Sequence, residues 1–247
     1  MGKLIRTLAV GTVLATVPGL ASALVSVGAE FNYWDSSLSG NVKSGGDSAN
    51  VDRDLNLSTD STFNFTAFFE HPIPALPNVR VNYTSINQSG NGTVSNGFGG
   101  VVGVERPVRS EMELDQLDLT AYYSPLNNWV KLDLGLTLRN LDGEVDVRDR
   151  LIPANSERVT VRGTLPMLYG AARVSIPTTD LAVGGEINYI SFDGDSISDY
   201  NLYAQYDVLG LVRLRAGYRE LSVDFEDGND KLDLTLKGPF FSAGIRF

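Results

Sequence analysis

Hydrophobic and polar residues alternate along 129–141, WVKLDLGLTLRNL. Val130, Leu132, Leu134, Leu136 and Leu138 fall on one side of an extended chain. Trp129, Lys131, Asp133, Gly135, Thr137 and Arg139 fall on the other. A period of two means a β-strand with one apolar and one polar face. The same alternation recurs over 25–34, 63–70, 79–84, 116–123, 168–176, 181–189, 201–208, 212–219 and 241–247. Together these segments predict an all-β fold: a transmembrane, antiparallel, up-and-down β-barrel of about ten strands, with apolar faces toward lipid and polar faces inward. Eight strands is the alternative, with one of the weaker pairs demoted.

The connections follow the same plan. Short turns at 71–78, 124–128, 177–180 and 209–210 alternate with long polar stretches at 35–61, 86–111, 142–160, 193–199 and 224–231. Short periplasmic turns and longer outer loops are the habit of outer-membrane barrels. Aromatic residues gather at the strand ends, with Tyr33, Phe63, Tyr83, Tyr189, Tyr200 and Tyr218 toward the outer side. Phe69, Tyr123, Tyr206 and Phe247 lie toward the inner side. Two girdles at the headgroup level are the expected arrangement. Trp34 and Trp129 fall on the inward phase near the rims.

The N-terminus sets the compartment. Lys3 and Arg6 precede the apolar run 7–17, and Ala21-Ser22-Ala23 supplies small residues for cleavage. That order is a secretory signal peptide, so residues 1–23 are expected to be removed after Ala23 and 24–247 to form the barrel. The chain is acidic, with 20 Lys+Arg against 30 Asp+Glu, which argues against nucleic-acid binding. Cysteine is absent, so disulfides, thiol catalysis and cysteine metal sites are excluded.

The chain ends FFSAGIRF, and Phe241, Ala243, Ile245 and Phe247 alternate to a terminal aromatic. This ending resembles the signal by which outer-membrane barrels are read by their assembly machinery. The resemblance implies that role for Phe241, Ile245 and Phe247, and makes the assembly machinery and outer-membrane lipids the expected partners of a monomer. VGAEFNYW (27–34), DLNLSTD (54–60) and FFEHPIPALPNVRVNYT (68–84) make the chain similar to an uncharacterised family of small outer-membrane β-barrel proteins of Gram-negative bacteria. That likeness implies fold and bacterial outer-membrane location, and no chemistry.

Candidate chemistry is sparse. The single histidine, His71, lies in the proline-rich turn HPIPALP. A structural role fits it better than a catalytic one, because a hydrolytic site at the outer rim would need a histidine there. Asp193, Asp195 and Asp199, and Asp224, Glu226, Asp227 and Asp230, form acidic outer clusters that could attract divalent cations. Neither follows calcium-loop spacing. The Gly-rich stretch 89–100 lacks the Gly-Lys-Ser/Thr ending of a phosphate loop. No enzyme activity and no cofactor are expected.

The inward phase is more informative. It carries Glu30, Glu70, Asp118, Asp133, Glu186 and Asp207 against Arg80, Lys131, Arg139, Arg173, Arg213, Arg215, Arg219 and Arg246. Arg213, Arg215 and Arg219 share one strand and need acids from other walls, with Glu30, Asp133, Glu186 and Asp207 as candidates. Small barrels are filled by their own side chains. A salt-bridged lumen is therefore the expected state, and a narrow charged pore for ions or small solutes is the alternative. A lipid-active enzyme is the least favoured reading.

The terminal residue yields a first test. Deleting Phe247, or replacing it as Phe247→Asp, should leave the protein unassembled in the periplasm. Membrane fractionation and heat-modifiable migration check this, and a normally assembled variant would contradict it.

Overall fold

The computed structural model describes residues 25–57, 61–95, 98–101 and 105–247. The expected leader and its cleavage site at Ala23 lie outside the described residues. The strands are β1 (Ser26–Asp35), β2 (Ser37–Ser44), β3 (Asp47–Asn50), β4 (Ser61–Glu70), β5 (Asn78–Val94) and β6 (Arg106–Asn127). They continue with β7 (Val130–Asp149), β8 (Ser156–Ser175), β9 (Leu181–Phe192), β10 (Asp195–Val208), β11 (Val212–Asp227) and β12 (Asp230–Arg246). Every pairing between them is antiparallel.

Ten of these strands, β1 and β4 to β12, close a ring, because β1 pairs with both β4 and β12. The remaining two stand above it. β2 prolongs β1 along the same edge of β12 in one register, with Trp34 opposite Phe240 and Ser37 opposite Lys237. The ladder is interrupted beside Pro239, which has no N–H to donate. β3 then folds back on β2.

The lipid-facing band is where the alternation placed it. Phe31, Phe65, Val81, Leu119, Leu134, Leu136, Leu202 and Leu214 all point outward and are exposed. Both expected girdles flank them, with Tyr33, Tyr83, Tyr189 and Tyr218 above and Phe69, Tyr123, Tyr206 and Phe247 below, all exposed on the outer surface. Of the two tryptophans, Trp34 turns inward and is buried, whereas Trp129 sits exposed in a periplasmic turn.

The outer connections depart from expectation. Much of 35–61, 86–111, 142–160 and 224–231 is strand rather than loop, so the barrel wall rises well above the lipid band. The reason is visible on β7. Its outward positions run Leu134, Leu136, Leu138 and then Asn140, Asp142, Glu144. Its inward positions run Asp133, Thr137, Arg139 and then Leu141, Val145, Val147. The phase of the strand never changes, but polarity inverts. Within lipid the outside must be apolar; above it the outside meets water, and the inside becomes the apolar side. β6 makes the same exchange between Leu117 and Asp115 outside and between Gln116 and Leu114 inside.

A hydrophobic cap fills the raised section. Leu38 and Val42 on β2, Ile86 and Val94 on β5, Val108 and Met112 on β6, Val145 and Val147 on β7, Leu221 on β11, and Leu234 and Leu236 on β12 form one buried cluster. Two connections fold in to complete it. Val51, Leu55 and Leu57 come from the segment after β3, and Phe98 and Val101 from the β5–β6 connection. Gly90 and Gly92 on β5 make room for the first: a Cβ on either would stand 2.0 Å from the carbonyl oxygen of Asn56 or Asp54. Glu157 at the start of β8 ties the β5–β6 connection to the end of β2, accepting hydrogen bonds from Gly100 N (2.6 Å) and from Ser44 Oγ (3.0 Å).

The inversion is directly testable on one face of one strand. Leu119→Arg should destabilise the barrel by roughly 2–4 kcal/mol, the cost of a cation on the lipid face near the midplane. Glu113→Arg, outward on the same strand but above the lipid band, should fall within about 0.5 kcal/mol of the parent, as ordinary surface changes do. Denaturant unfolding in lipid vesicles measures both, and equal costs would contradict the inversion.

Candidate functional site

Polar side chains converge in the lumen, and each arrives on the inward phase of its strand. Nearest the periplasm, Glu70 on β4 pairs with Lys131 on β7 and with Arg246 on β12 (3.3 Å). It also accepts a hydrogen bond from Tyr122 Oη at 2.9 Å. Lys131 reaches Asp133 at 3.5 Å, and Asp133 accepts from Ser124 at 2.5 Å.

The middle layer is held by two acids against three arginines. Glu30 meets Arg213 at 2.8 Å and Arg215 at 3.1 Å. Glu186 meets Arg80 at 2.7 Å and Arg215 at 3.5 Å. Aromatic faces cover the cations: Arg215 lies 4.4 Å from the Tyr203 ring centroid, and Arg213 lies 5.8 Å from that of Phe68. Asp207 reaches Arg213 at 3.4 Å, nearer the mouth. Beside this layer, Asn32, Asn64, Asn82, Thr66 and Thr84 exchange side-chain hydrogen bonds across β1, β4 and β5.

A third layer lies beneath the cap. Arg139 is fully buried and donates from Nε and Nη2 to the two oxygens of Asp118, both at 2.7 Å. It also reaches Asp199 at 2.7 Å. Arg219 bonds the same Asp199 at 2.8 and 2.9 Å and stacks 4.6 Å from the Trp34 ring. Two small voids remain between the layers, about 60 Å³ and 50 Å³.

Glu30, Asp133, Glu186, Asp207, Arg213, Arg215 and Arg219 therefore all face the lumen, and all are ion-paired. The pairing differs in two respects from that read in the sequence. Asp133 serves Lys131 rather than the β11 arginines. Arg219 takes Asp199, which the sequence had placed in an outer acidic cluster. β10 begins at Asp195, several residues earlier than the alternation indicated, and strand phase then turns Asp199 inward. Among the described residues Arg173 forms no ion pair, and its buried Nε has no hydrogen-bond partner.

The other candidates lie elsewhere. His71 is fixed in the periplasmic turn, with Nδ1 accepting from Ile73 N at 3.2 Å and Nε2 3.1 Å from Pro77 O. At the outer tips, Asp195 accepts from Glu226 N at 2.9 Å. Asp224 bonds Lys231 at 3.1 Å and holds its ammonium above the ordinary lysine range. Phe241, Ile245 and Phe247 lie on the lipid face of the last strand and beyond its end. The asparagine ladder, Tyr122, Tyr169 and Trp34 had no signal in the sequence beyond their inward phase.

The third layer gives the sharpest energetic test. Arg139→Ala would strand Asp118 and part of Asp199, and should cost about 3–5 kcal/mol, as breaking a buried pair from one side does. Adding Asp118→Asn should recover part of that loss. A double-mutant cycle in urea checks this, and additive costs would deny the coupling.

No family model matches the chain, and no curated protein matches it. Among solved structures it is similar to the attachment invasion locus protein Ail of Yersinia pestis, at 11% identity and a TM-score of 0.40, covering 90% of this chain and 98% of that one. It is similar to the translocator domain of the autotransporter NalP from Neisseria meningitidis, at 11% identity and a TM-score of 0.45, covering 92% and 90%. Neisserial surface protein A is a third, at 16% identity and a TM-score of 0.33, covering 90% and 95%. The assignment rests on the chain's own surface. A ring of strands with no free edge in the lipid zone, girdled by aromatics and covered with exposed leucine, valine and phenylalanine, satisfies its backbone internally and offers lipid an apolar belt. The chain is a ten-stranded β-barrel protein of the bacterial outer membrane.

Proposed function

We propose that this barrel is a closed, monomeric scaffold that holds a rigid strand-built surface outside the membrane, conducts nothing along its axis and carries no catalytic centre. The observation that carries this reading is the stacking of two unlike seals on one axis. Three layers of paired charges occupy the membrane section, and an apolar cap fills the section above. A solute moving along the axis would have to break buried ion pairs and then cross a packed hydrophobic core. Either seal alone would stop an ion.

The surface itself supports an interaction role. Above the lipid band the outer wall is polar and tied by ion pairs such as Arg158–Asp146 (2.9 Å) and Arg162–Asp142 (2.7 Å). Side chains there stand on paired strands, which gives partners a preorganised surface. Against an enzyme stands the place of the single histidine, held by its own turn at the periplasmic end.

Purified protein in planar bilayers tests the proposal. Wild type should show no steady conductance. Arg213→Ala combined with Arg215→Ala should be less stable and should leak, because Glu30 loses both its partners. A steady, ion-selective current from the wild type, altered in selectivity by the same pair of changes, would establish the pore instead.

A further inference from the structure

The barrel wall is not continuous above the membrane. β8 pairs with β7 along its whole length, from Ser156 opposite Arg148 to Val174 opposite Val130. Its ladder with β9 is much shorter, from Ser175 opposite Ala182 to Leu168 opposite Tyr189, and stops there. Pro166 is the cause. The β7 ladder passes through it unbroken, with Leu138 opposite, so the side lacking the N–H is the one that would face β9. β9 runs only to Phe192 before turning into β10. The upper part of β8 is thus a free edge, and a notch opens between it and β11, with the β9–β10 hairpin as its sill.

Behind the notch lies a pocket of about 320 Å³. Leu141, Leu165, Ile190, Ile197, Val223 and Phe225 line it, and all six belong to the inward phase of their strands. The pocket is therefore the side of the apolar cap, laid open through the wall. Its volume lies at the lower end of the range for small-ligand clefts, about 300–1,000 Å³. Phe192 stands on the sill with 78% of its surface exposed. Just below, exposed Tyr189 marks the outer aromatic girdle, so the mouth opens at the headgroup level of the outer leaflet.

We propose that this lateral pocket binds an uncharged molecule with a single aliphatic chain, entering from the outer leaflet rather than from above. The rim decides the charge. Its one cation, Arg162, is taken by Asp142 at 2.7 Å. Asp195 and Asp224 stand beside it. Asp224 is in turn matched by Lys231 at 3.1 Å, which leaves Asp195 as the rim's uncompensated charge, so an anionic head would meet repulsion. Thr160 and Ser196 remain at the rim to hydrogen-bond a hydroxyl. An apolar chain in the pocket buries surface that is otherwise wet, and the nearby bilayer concentrates such molecules at the mouth. The inference rests on the same barrel, but the paired-charge seal in the membrane section shares no residue with this pocket.

Equilibrium uptake of radiolabelled n-decanol by the full barrel in lipid nanodiscs, against empty nanodiscs, tests the inference. Wild type should add a saturable component, and decanoate should compete poorly. Leu165→Trp, which fills the pocket, should weaken that component at least about tenfold, equivalent to about 1.4 kcal/mol. Pro166→Val restores the missing donor and should extend the β8–β9 ladder, seen as slower amide exchange at the end of β9, while lowering uptake. Heat-modifiable migration verifies that each variant is folded. No saturable component in the wild type would overturn the inference. So would uptake unchanged in a folded Leu165→Trp or in a Pro166→Val protein whose ladder has lengthened.

Discussion

A strand paired on both sides cannot rotate, and this constraint governs the whole molecule. In lipid no water is present to satisfy a backbone N–H or C=O, so the wall must close on itself through ladder hydrogen bonds. Closure fixes the register, and register fixes which side chains face in and which face out. β7 carries that decision in an unbroken ladder with β8, and its ladder with β6 shifts register once, between Tyr123 and Leu126 at the periplasmic end. Because the phase is set in the membrane, the raised section inherits it and can adapt to water only by changing residue type. The exchange of Leu138 and Arg139 for Asn140 and Leu141 is that adaptation, and it converts a lipid-facing barrel with a polar lumen into a water-facing barrel with an apolar core.

The same constraint explains the chemistry of the lumen. Inward side chains in the membrane section cannot be apolar without erasing the inside–outside difference that orients the strands, yet they cannot be left charged and alone. The solution is mutual: Arg215 spans Glu30 and Glu186, and Asp199 spans Arg139 and Arg219. Glu30–Arg215 joins β1 to β11 and Arg139–Asp199 joins β7 to β10, so these pairs also cross-brace the ring. Tyr203, Trp34 and Phe68 then cover guanidinium faces that no carboxylate reaches.

How much of this the sequence reveals depends on which physical signal carried it. The ten membrane strands and their lipid faces were legible, because strict alternation such as Leu134-Gly135-Leu136 has no other economical reading. The inward charges were legible for the same reason. The raised wall was not, although its alternation is just as regular in Glu111-Met112-Glu113-Leu114-Asp115. Polar residues on the outward phase look like loop to a reading that expects lipid there. Partner choice was hidden as well, since Arg219 and Asp199 meet only through the register between β10 and β11, which no single strand encodes. The cap depended on Gly90 and Gly92 admitting a neighbouring backbone, a signal that a Gly-rich stretch gives only ambiguously.

Two prolines show how local chemistry becomes architecture. Pro239 and Pro166 each sit in a strand whose ladder on one side runs straight through them and on the other side fails. The consequences differ because of what lies beyond. Past Pro239 the chain of β1 continues as β2, so pairing resumes at Ser37 opposite Lys237 and the wall heals. Past Pro166 the neighbouring strand has only Ile190, Ser191 and Phe192 left before its turn at Asp193 and Gly194, and no partner remains to resume with. A missing N–H is therefore a pause where the neighbour is long and an opening where it is short. The notch is set by the length of the β9–β10 hairpin as much as by the proline, and both are written in the sequence at the height where the lipid ends.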